Sequence, residues 1–285
     1  MNAAPRRLLV LYYPKIDSSQ TVAKAMQDFI THWPDCSVNI VAMNGAEPIP
    51  SIAGHEAVIV LGGDGSLLRA SVLTAPHNVP MLGVNLGRLG FLTEAQPDEW
   101  PEALTRVLSG DYWIETRMML HVEHRRAGQV LGVYEALNEA VVGRGAFARP
   151  VHLKTLIDGG ELTTYVADGL IIASPTGSTA YALATGGPIL PPELRNILLI
   201  AIAPHLSLDR AIVLAQGATV DVTVRADSEA LLSTDGQTQV PLQDGDGVSV
   251  RMSDYVTRFI RVRPPTYFYS MLMARMTQNP AADKG

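Results

Sequence analysis

Residues 57–70, "AVIVLGGDGSLLRA", leave an apolar stretch, cross Gly62-Gly63-Asp64-Gly65 and enter a helical pattern. Glycine costs conformational entropy in regular structure, so this run implies a sharp turn or something that approaches the backbone closely. At the C-terminal end of a parallel strand, where α/β sheets place ligands, open N–H groups and a helix N-terminus suit phosphate. A carboxylate beside phosphate is unfavourable unless a Mg²⁺ ion intervenes or it takes a proton from an attacking hydroxyl. Asp64 fits that description. The same residues also read as a tight strand-to-helix turn with Asp64 as the helix cap.

Further segments have the composition of ligand sites. "GVNLGRLGFLTE", residues 83–94, follows a strand and carries Asn85 and Arg88, which could face the crevice of Asp64. Asn138-Glu139 interrupt the apolar run "YEALNEAVVG". Such a pair suits the hydroxyls of a ribose, with Glu accepting and Asn donating or accepting. Neighbours in a regular strand point to opposite faces, so the strand must end or bulge there, or one of the two is structural. Residues 167–190, "ADGLIIASPTGSTAYALATGGPIL", run from a buried strand into a dense cluster of hydroxyls. Tyr181 follows, with an aromatic face on which a base could stack.

Other chemistries are excluded or disfavoured. No GxxxxGK[ST] occurs, and Lys15, Lys24, Lys154 and Lys284 are the only lysines, so a Walker-type loop is absent. The dinucleotide fingerprint GxGxxG is missing from residues 83–94 as well. Cys36 is the single cysteine and the seven histidines form no HExxH, which leaves no zinc or disulfide framework. Net charge is −6, against a general nucleic-acid binder. No apolar run reaches the length of a membrane span. The opening "RRLLVLYYPK" reads as a first strand rather than a signal peptide, which makes the cytoplasm the expected compartment.

The elements that must position these groups fall into two styles. Residues 7–13, "SVNIVAM", "EAVIVLGG" and "PMLGVNLG" read as strands of a parallel sheet. Helices lie between and after them, over residues 17–33, 66–75 and 97–110, with Asp17 or Ser18 capping the first. From Tyr112 onward the pattern is short strands separated by turns such as Asp158-Gly159-Gly160 and Asp235-Gly236. In this part "VLGVYEALNEAVVG" and "LTTYVADGLIIAS" each read as one strand, and Thr179 to Thr185 as the one helical insertion. After Pro264-Pro265, "TYFYSMLMARM" resumes a helical period. The expected fold class is α+β with two domains: a doubly wound α/β domain over 1–112 and a β-sandwich over 113–264. A C-terminal helix and tail, 265–285, should pack back on the first domain.

In order and spacing, Gly62-Gly63-Asp64-Gly65, Asn85 to Leu92, Asn138-Glu139, Asp168-Gly169 to Pro188, Pro204-His205 and Asp235-Gly236-Gln237 resemble the NAD kinases. The likeness covers about residues 55–240. GGDG alone is shared with phosphofructokinases and lipid kinases, whereas Thr176 to Tyr181 is close to specific. The resemblance implies phosphorylation of the 2′-hydroxyl of the adenosine ribose of NAD, giving NADP, with Mg²⁺ and with ATP or polyphosphate as donor. It implies Asp64 as proton acceptor, with Gly65 and Arg69 in the same pocket. It further implies Asn138 and Glu139 on ribose hydroxyls, and NAD contacts from Arg149, Asp168 and Gln237. Thr179, Ala180, Tyr181, Ala182, Leu183 and Ala184 would surround the adenine, and the assembly would be a homodimer or homotetramer. No nucleic acid or membrane partner is implied. A GGDG kinase of a lipid or sugar, and a non-catalytic NAD-binding regulator, stay open as alternatives.

Overall fold

Unbroken apolar runs flanked by turn residues become the parallel strands of the first unit. The computed structural model describes residues 2–43, 52–87, 90–145, 149–205, 209–225 and 229–277. It forms two compact units, residues 1–116 with 258–285, and residues 117–257. In the first, β1 (Arg7–Tyr12), β2 (Ser37–Ala42), β3 (Ala57–Leu61) and β4 (Met81–Val84) lie in the order β2-β1-β3-β4, all parallel. Strand β3 is buried along its whole length, as a central parallel strand must be.

Three helices cover this sheet. In α1 (Ser19–Thr31), Ala23, Met26 and Ile30 recur at helical spacing and are buried against Leu8, Val10 and Ile59. Ser18 is its N-cap residue, without a side-chain capping bond. The second helix, α2, spans Asp64–Thr74, and α3 spans Trp100–Leu108, burying Ala103, Leu104, Val107 and Leu108. Between β1 and β3 the strand order reverses, and the paired ends Tyr12 and Leu61 lie side by side. That reversal is the crevice where open α/β sheets bind ligands.

The second unit is antiparallel. Its strands are β5 (Trp113–Arg126), which starts in the first unit, β6 (Gln129–Ala136), β7 (Glu139–Arg144), β8 (Val151–Ile157), β9 (Gly160–Ala167) and β10 (Gly169–Ala173). After the one-turn helix α4 (Tyr181–Ala184) come β11 (Ile197–Ile202), β12 (Ile212–Leu214), β13 (Val220–Arg225), β14 (Ala230–Thr234), β15 (Thr238–Leu242) and β16 (Gly247–Arg261). One sheet has the order β12-β11-β10-β7-β14-β15. The other pairs β16 with β13, β13 with β8 and β8 with β9. Between them lies a core containing Val142, Leu153, Leu170, Ile172, Val222 and Leu232. The opposite face of β10, Ile171 and Ala173, packs on Ala182, Leu190 and Leu198. Strand β16 ends in the first unit, where Phe259 pairs with Met81, and the chain closes with α5 (Tyr267–Thr277). The α/β unit, the β-sandwich and the returning C-terminal helix match the expected fold class.

Two expected strands are each divided. "VLGVYEALNEAVVG" breaks at Leu137-Asn138 into β6 and β7, which belong to different sheets. "LTTYVADGLIIAS" breaks at Asp168 into β9 and β10, again in different sheets. In both runs apolar residues continue on either side of one or two polar ones, so the hydrophobic pattern does not register the breaks. Strands β5 and β16, of 14 and 15 residues, are also longer than the short strands expected here.

Leu170 is fully buried in the sandwich core. Leu170→Ala is expected to cost about 2–5 kcal/mol, read as a lowered urea midpoint.

Candidate active site

The turn after β3 answers why glycine and aspartate alternate there. Gly62 has φ +154°, and a Cβ on it would come 2.8 Å from Ser66 Cβ. Gly63 is the N-cap of α2 and Asp64 its first residue. No side chain caps this helix, so the reading of Asp64 as a cap gives way. The Asp64 carboxylate instead accepts the Phe91 N–H on Oδ2 at 2.8 Å and the Leu92 N–H on Oδ1 at 3.0 Å. Gly90 makes this possible, because a Cβ there would run into the Asp64 carboxylate. Gly63 and Gly65 are different: a Cβ on either would meet nothing within 4 Å. Their missing side chains leave backbone accessible at the mouth of the crevice.

Asn85 serves the fold. It is buried, its Nδ2 donates to the Gly87 carbonyl at 3.0 Å and to Gln96 Oε1 at 3.1 Å, and its Oδ1 accepts the Gly87 N–H. The expectation that Asn85 faces the crevice is therefore corrected, and Arg88 lies outside the described residues. Arg69, exposed on α2, sets its guanidinium 5.3 Å from the centre of the Tyr13 ring. Lys15 Nζ stands 6.0 Å from the same ring. The hydrogen bond from Arg69 lowers the Tyr13 hydroxyl pKa. Sequence reasoning missed Tyr13 and Lys15. The available signal was topological: they follow β1 as Gly62 follows β3, and neighbouring parallel strands end together.

In the second unit, the break between β6 and β7 is organised by Asp235. Its Oδ2 accepts the Leu137 N–H at 2.8 Å, and its Oδ1 accepts those of Asn138 and Glu139 at 2.8 and 3.0 Å. Asp235 sits at φ +52° in the turn between β14 and β15, and its own N–H donates to the Glu139 carbonyl. Ser174 closes the other side, donating from Oγ to the Leu137 carbonyl at 2.5 Å and from its N–H to the Asn138 carbonyl at 2.8 Å. The strand ends here, so Asn138 and Glu139 are released from strict alternation.

Glu139 is buried, and its Oε2 has no hydrogen-bond partner among the described residues. Thr176 Oγ1, beyond the end of β10, is buried without a partner as well. Burial first, and then the charge of Asp235, push the Glu139 carboxyl up to about 8. Burial also raises Asp235, against its three N–H donors. A protonated Glu139 beside an ionised Asp235 satisfies this geometry, since both Asp235 oxygens act as acceptors.

Apart from Arg149, the other candidates are distributed along the six-stranded sheet. Thr179 donates to the Thr176 carbonyl at 3.1 Å, and Ala180 leads into α4, where Tyr181 is exposed. Leu183 is half-buried and Ala184 exposed, but Ala182 is buried in the core beneath β10. The side chain of Ala182 thus packs the fold. Gln237 lies in the Asp235 turn, its N–H bonded to the Thr234 carbonyl. Asp168 is at the opposite end of β10 from Ala173, the residue paired with Glu139, and takes the Arg144 guanidinium at 3.1 Å. Arg149 is exposed ahead of β8. The structure brings Asn138, Glu139, Thr179 and Gln237 to one end of this sheet and leaves Asp168 at the other.

Two outcomes follow from the carboxyl pair. Glu139 holds its proton to about pH 8 when folded and to 4.5 when unfolded. The folded chain binds more protons between those values, so this contribution is full below the lower one and is lost as pH rises through the upper. The urea midpoint of the wild-type protein should fall more steeply over this window than that of Glu139→Gln. Asp235→Asn replaces an acceptor with an N–H₂ facing backbone donors and should cost about 1–3 kcal/mol in the same measurement.

Comparison with known proteins bears on this arrangement. Models of the ATP-NAD kinase N-terminal and C-terminal domains match residues 47–112 and 137–262. An NAD kinase of Chloroflexus aurantiacus is 39% identical over 273 residues, covering 96% of this chain and 99% of that protein. The crystal structure of yeast NADH kinase complexed with NADH superposes with a TM-score of 0.79 at 24% identity, covering 97% of this chain and 89% of that one. An NAD kinase from Archaeoglobus fulgidus in complex with ATP gives 0.75 at 24% identity, covering 94% and 99%. The paired domain models and the full-length likeness together establish that the chain belongs to the NAD kinase family.

Proposed function

We propose that this protein phosphorylates NAD on the 2′-hydroxyl of its adenosine ribose, with ATP as donor, to give NADP. The observation that carries the reading is Asp64: a carboxylate fixed by two backbone N–H groups at the first turn of a helix, between Gly63 and Gly65, where a Cβ would meet nothing within 4 Å. Family membership and relatives named as NAD kinases support the acceptor. A relative solved with ATP supports the donor, with polyphosphate as the other donor to be tried.

In this reading the donor arrives as its Mg²⁺ complex, the metal being carried in with the substrate. The N–H groups of the turn and the guanidinium of Arg69 face its phosphates. The 2′-oxygen forms a bond to the terminal phosphorus as the bond from that phosphorus to the bridging oxygen breaks and ADP leaves. The proton of the 2′-hydroxyl passes to Asp64 and from there to solvent. Little covalent work falls to the protein, so positioning of the hydroxyl in line with the phosphorus is the main contribution. Asn138 and Glu139 hold ribose hydroxyls. A protonated Glu139 donates to a hydroxyl oxygen through Oε2, which has no partner among the described residues. Tyr181, exposed beside the hydroxyl-rich loop, offers its ring to the adenine.

NADP formation from NAD and MgATP, read with an NADP-specific dehydrogenase, tests the function directly. Asp64→Asn should fold, bind NAD normally and turn over at least about 10²-fold more slowly. Near-normal turnover in that variant overturns the role of Asp64. A wild-type protein that makes no NADP with either donor overturns the function.

A further inference from the structure

We propose that Arg261 is a positioning residue for Asp64, acting through the backbone of Leu92. This rests on the reading of Asp64 given above. The segment Gly90-Phe91-Leu92 is held from two sides. On one side its N–H groups, from Phe91 and Leu92, donate to the Asp64 carboxylate at 2.8 and 3.0 Å. On the other, the Leu92 carbonyl accepts Nη1 of Arg261 at 2.9 Å. The N–H and carbonyl of Leu92 belong to adjoining rigid peptide planes that meet at its Cα, so anchoring the carbonyl restricts the position of the segment whose N–H groups hold Asp64.

The guanidinium is itself immobilised. Arg261, the last residue of β16, is 0% exposed and is among the largest fully buried side chains of the protein. Its Nε donates to Glu115 Oε2 at 2.8 Å, and Nη1, besides holding Leu92, reaches Glu94 Oε2 at 3.1 Å. Nη2 stands 2.7 Å from the same Glu115 oxygen. The rings of Phe259 and Tyr267 lie 4.8 and 4.7 Å from the guanidinium carbon. Both carboxylates have other tethers: Glu94 Oε1 accepts the N–H groups of Val262 and Arg263, and Glu115 accepts the Tyr267 hydroxyl. The end of β16 and the start of α5 are thereby tied to the segment that orients Asp64.

A buried ion cluster is an expensive way to obtain stability, since well-packed apolar residues of similar volume often serve as well or better. What this cluster supplies in addition is direction. A planar fork can satisfy Glu115, Glu94 and the Leu92 carbonyl at once, and a lysine ammonium on a flexible stem cannot do so in the same geometry.

The test compares Arg261→Lys with Glu115→Gln, using steady-state kinetics on NAD and MgATP and urea midpoints for both. Arg261→Lys should lower kcat by at least about tenfold, the size expected for a misplaced catalytic group. Its KM for NAD and for ATP should stay within about two-fold, the signature of an interaction that matters in the transition state. Glu115→Gln disturbs the same cluster but leaves the bond to Leu92. It should lose stability while keeping kcat within about three-fold. In an Asp64→Asn background, Arg261→Lys should cost no further kcat, because it acts through a group already disabled. Should Arg261→Lys fail to fold, the neutral variant Arg261→Met with Glu94→Gln and Glu115→Gln takes its place and should show the same loss of kcat at unchanged KM. Retention of kcat in the folded variant overturns the proposal. So does a loss of kcat that tracks stability equally in Arg261→Lys and Glu115→Gln, or a full additive loss in the Asp64→Asn background. If Asp64→Asn alone keeps its turnover, the reading of Asp64 fails instead, and the kinetic arms on Arg261 separate that result from this one.

Discussion

Backbone N–H groups that leave a regular element unpaired must find an acceptor, and in this protein a carboxylate provides it at two irregular segments, one in each unit. Asp64 gathers the N–H groups of Phe91 and Leu92, and Asp235 gathers those of Leu137, Asn138 and Glu139. A charged acceptor makes stronger hydrogen bonds than a neutral one. Each of these residues can therefore hold an irregular segment that no strand or helix supports. The consequences differ. At Asp64 the carboxylate that is held is the group proposed to receive the proton. At Asp235 the carboxylate does the holding, and the neighbouring Glu139 bears the effect.

That difference sets the electrostatics of the two places. Asp64 opens a helix beside glycines that leave space around the backbone. Glu139 is buried next to a second carboxylate, and both desolvation and like charge favour its neutral form. A neutral carboxyl can donate as well as accept, which suits a hydroxyl-bearing ligand better than an anion would. The buried cluster around Arg261 follows a third pattern, in which opposite charges offset one another inside the first unit and every carboxylate oxygen of Glu94 and Glu115 has a donor.

Much of the candidate site could be read from residue types. The apolar run into Gly62-Gly63-Asp64-Gly65 located a strand end and a helix start, and the hydroxyl-rich stretch before Tyr181 stood out against its apolar flanks. Other parts were hidden. Ala182 lies inside a segment whose chemistry drew attention, yet its side chain fills the core, because a one-turn helix must bury one face. Asn85 resembled a ligand contact but satisfies its own loop, as small amides in turns commonly do. Tyr13 and Lys15 attracted no notice, being unremarkable residues after a strand until the strand order placed that end beside Gly62.

Local sequence was sufficient for the parallel and antiparallel styles of the two units, for the existence of the C-terminal helix and for the aspartate between glycines. Those features depend on periodicity and on steric limits within a few residues. Tertiary structure alone decided that Asp64 is held by Phe91 and Leu92 rather than capping its helix, and that Asp235 breaks the run "YEALNEAVVG" some hundred residues earlier in the chain. It alone decided, too, that Arg261 reaches Leu92. A carboxylate or guanidinium can bond any donor or acceptor brought within reach. Which one it meets is a property of strand order and packing, and residues distant in the chain leave no trace of it in local spacing.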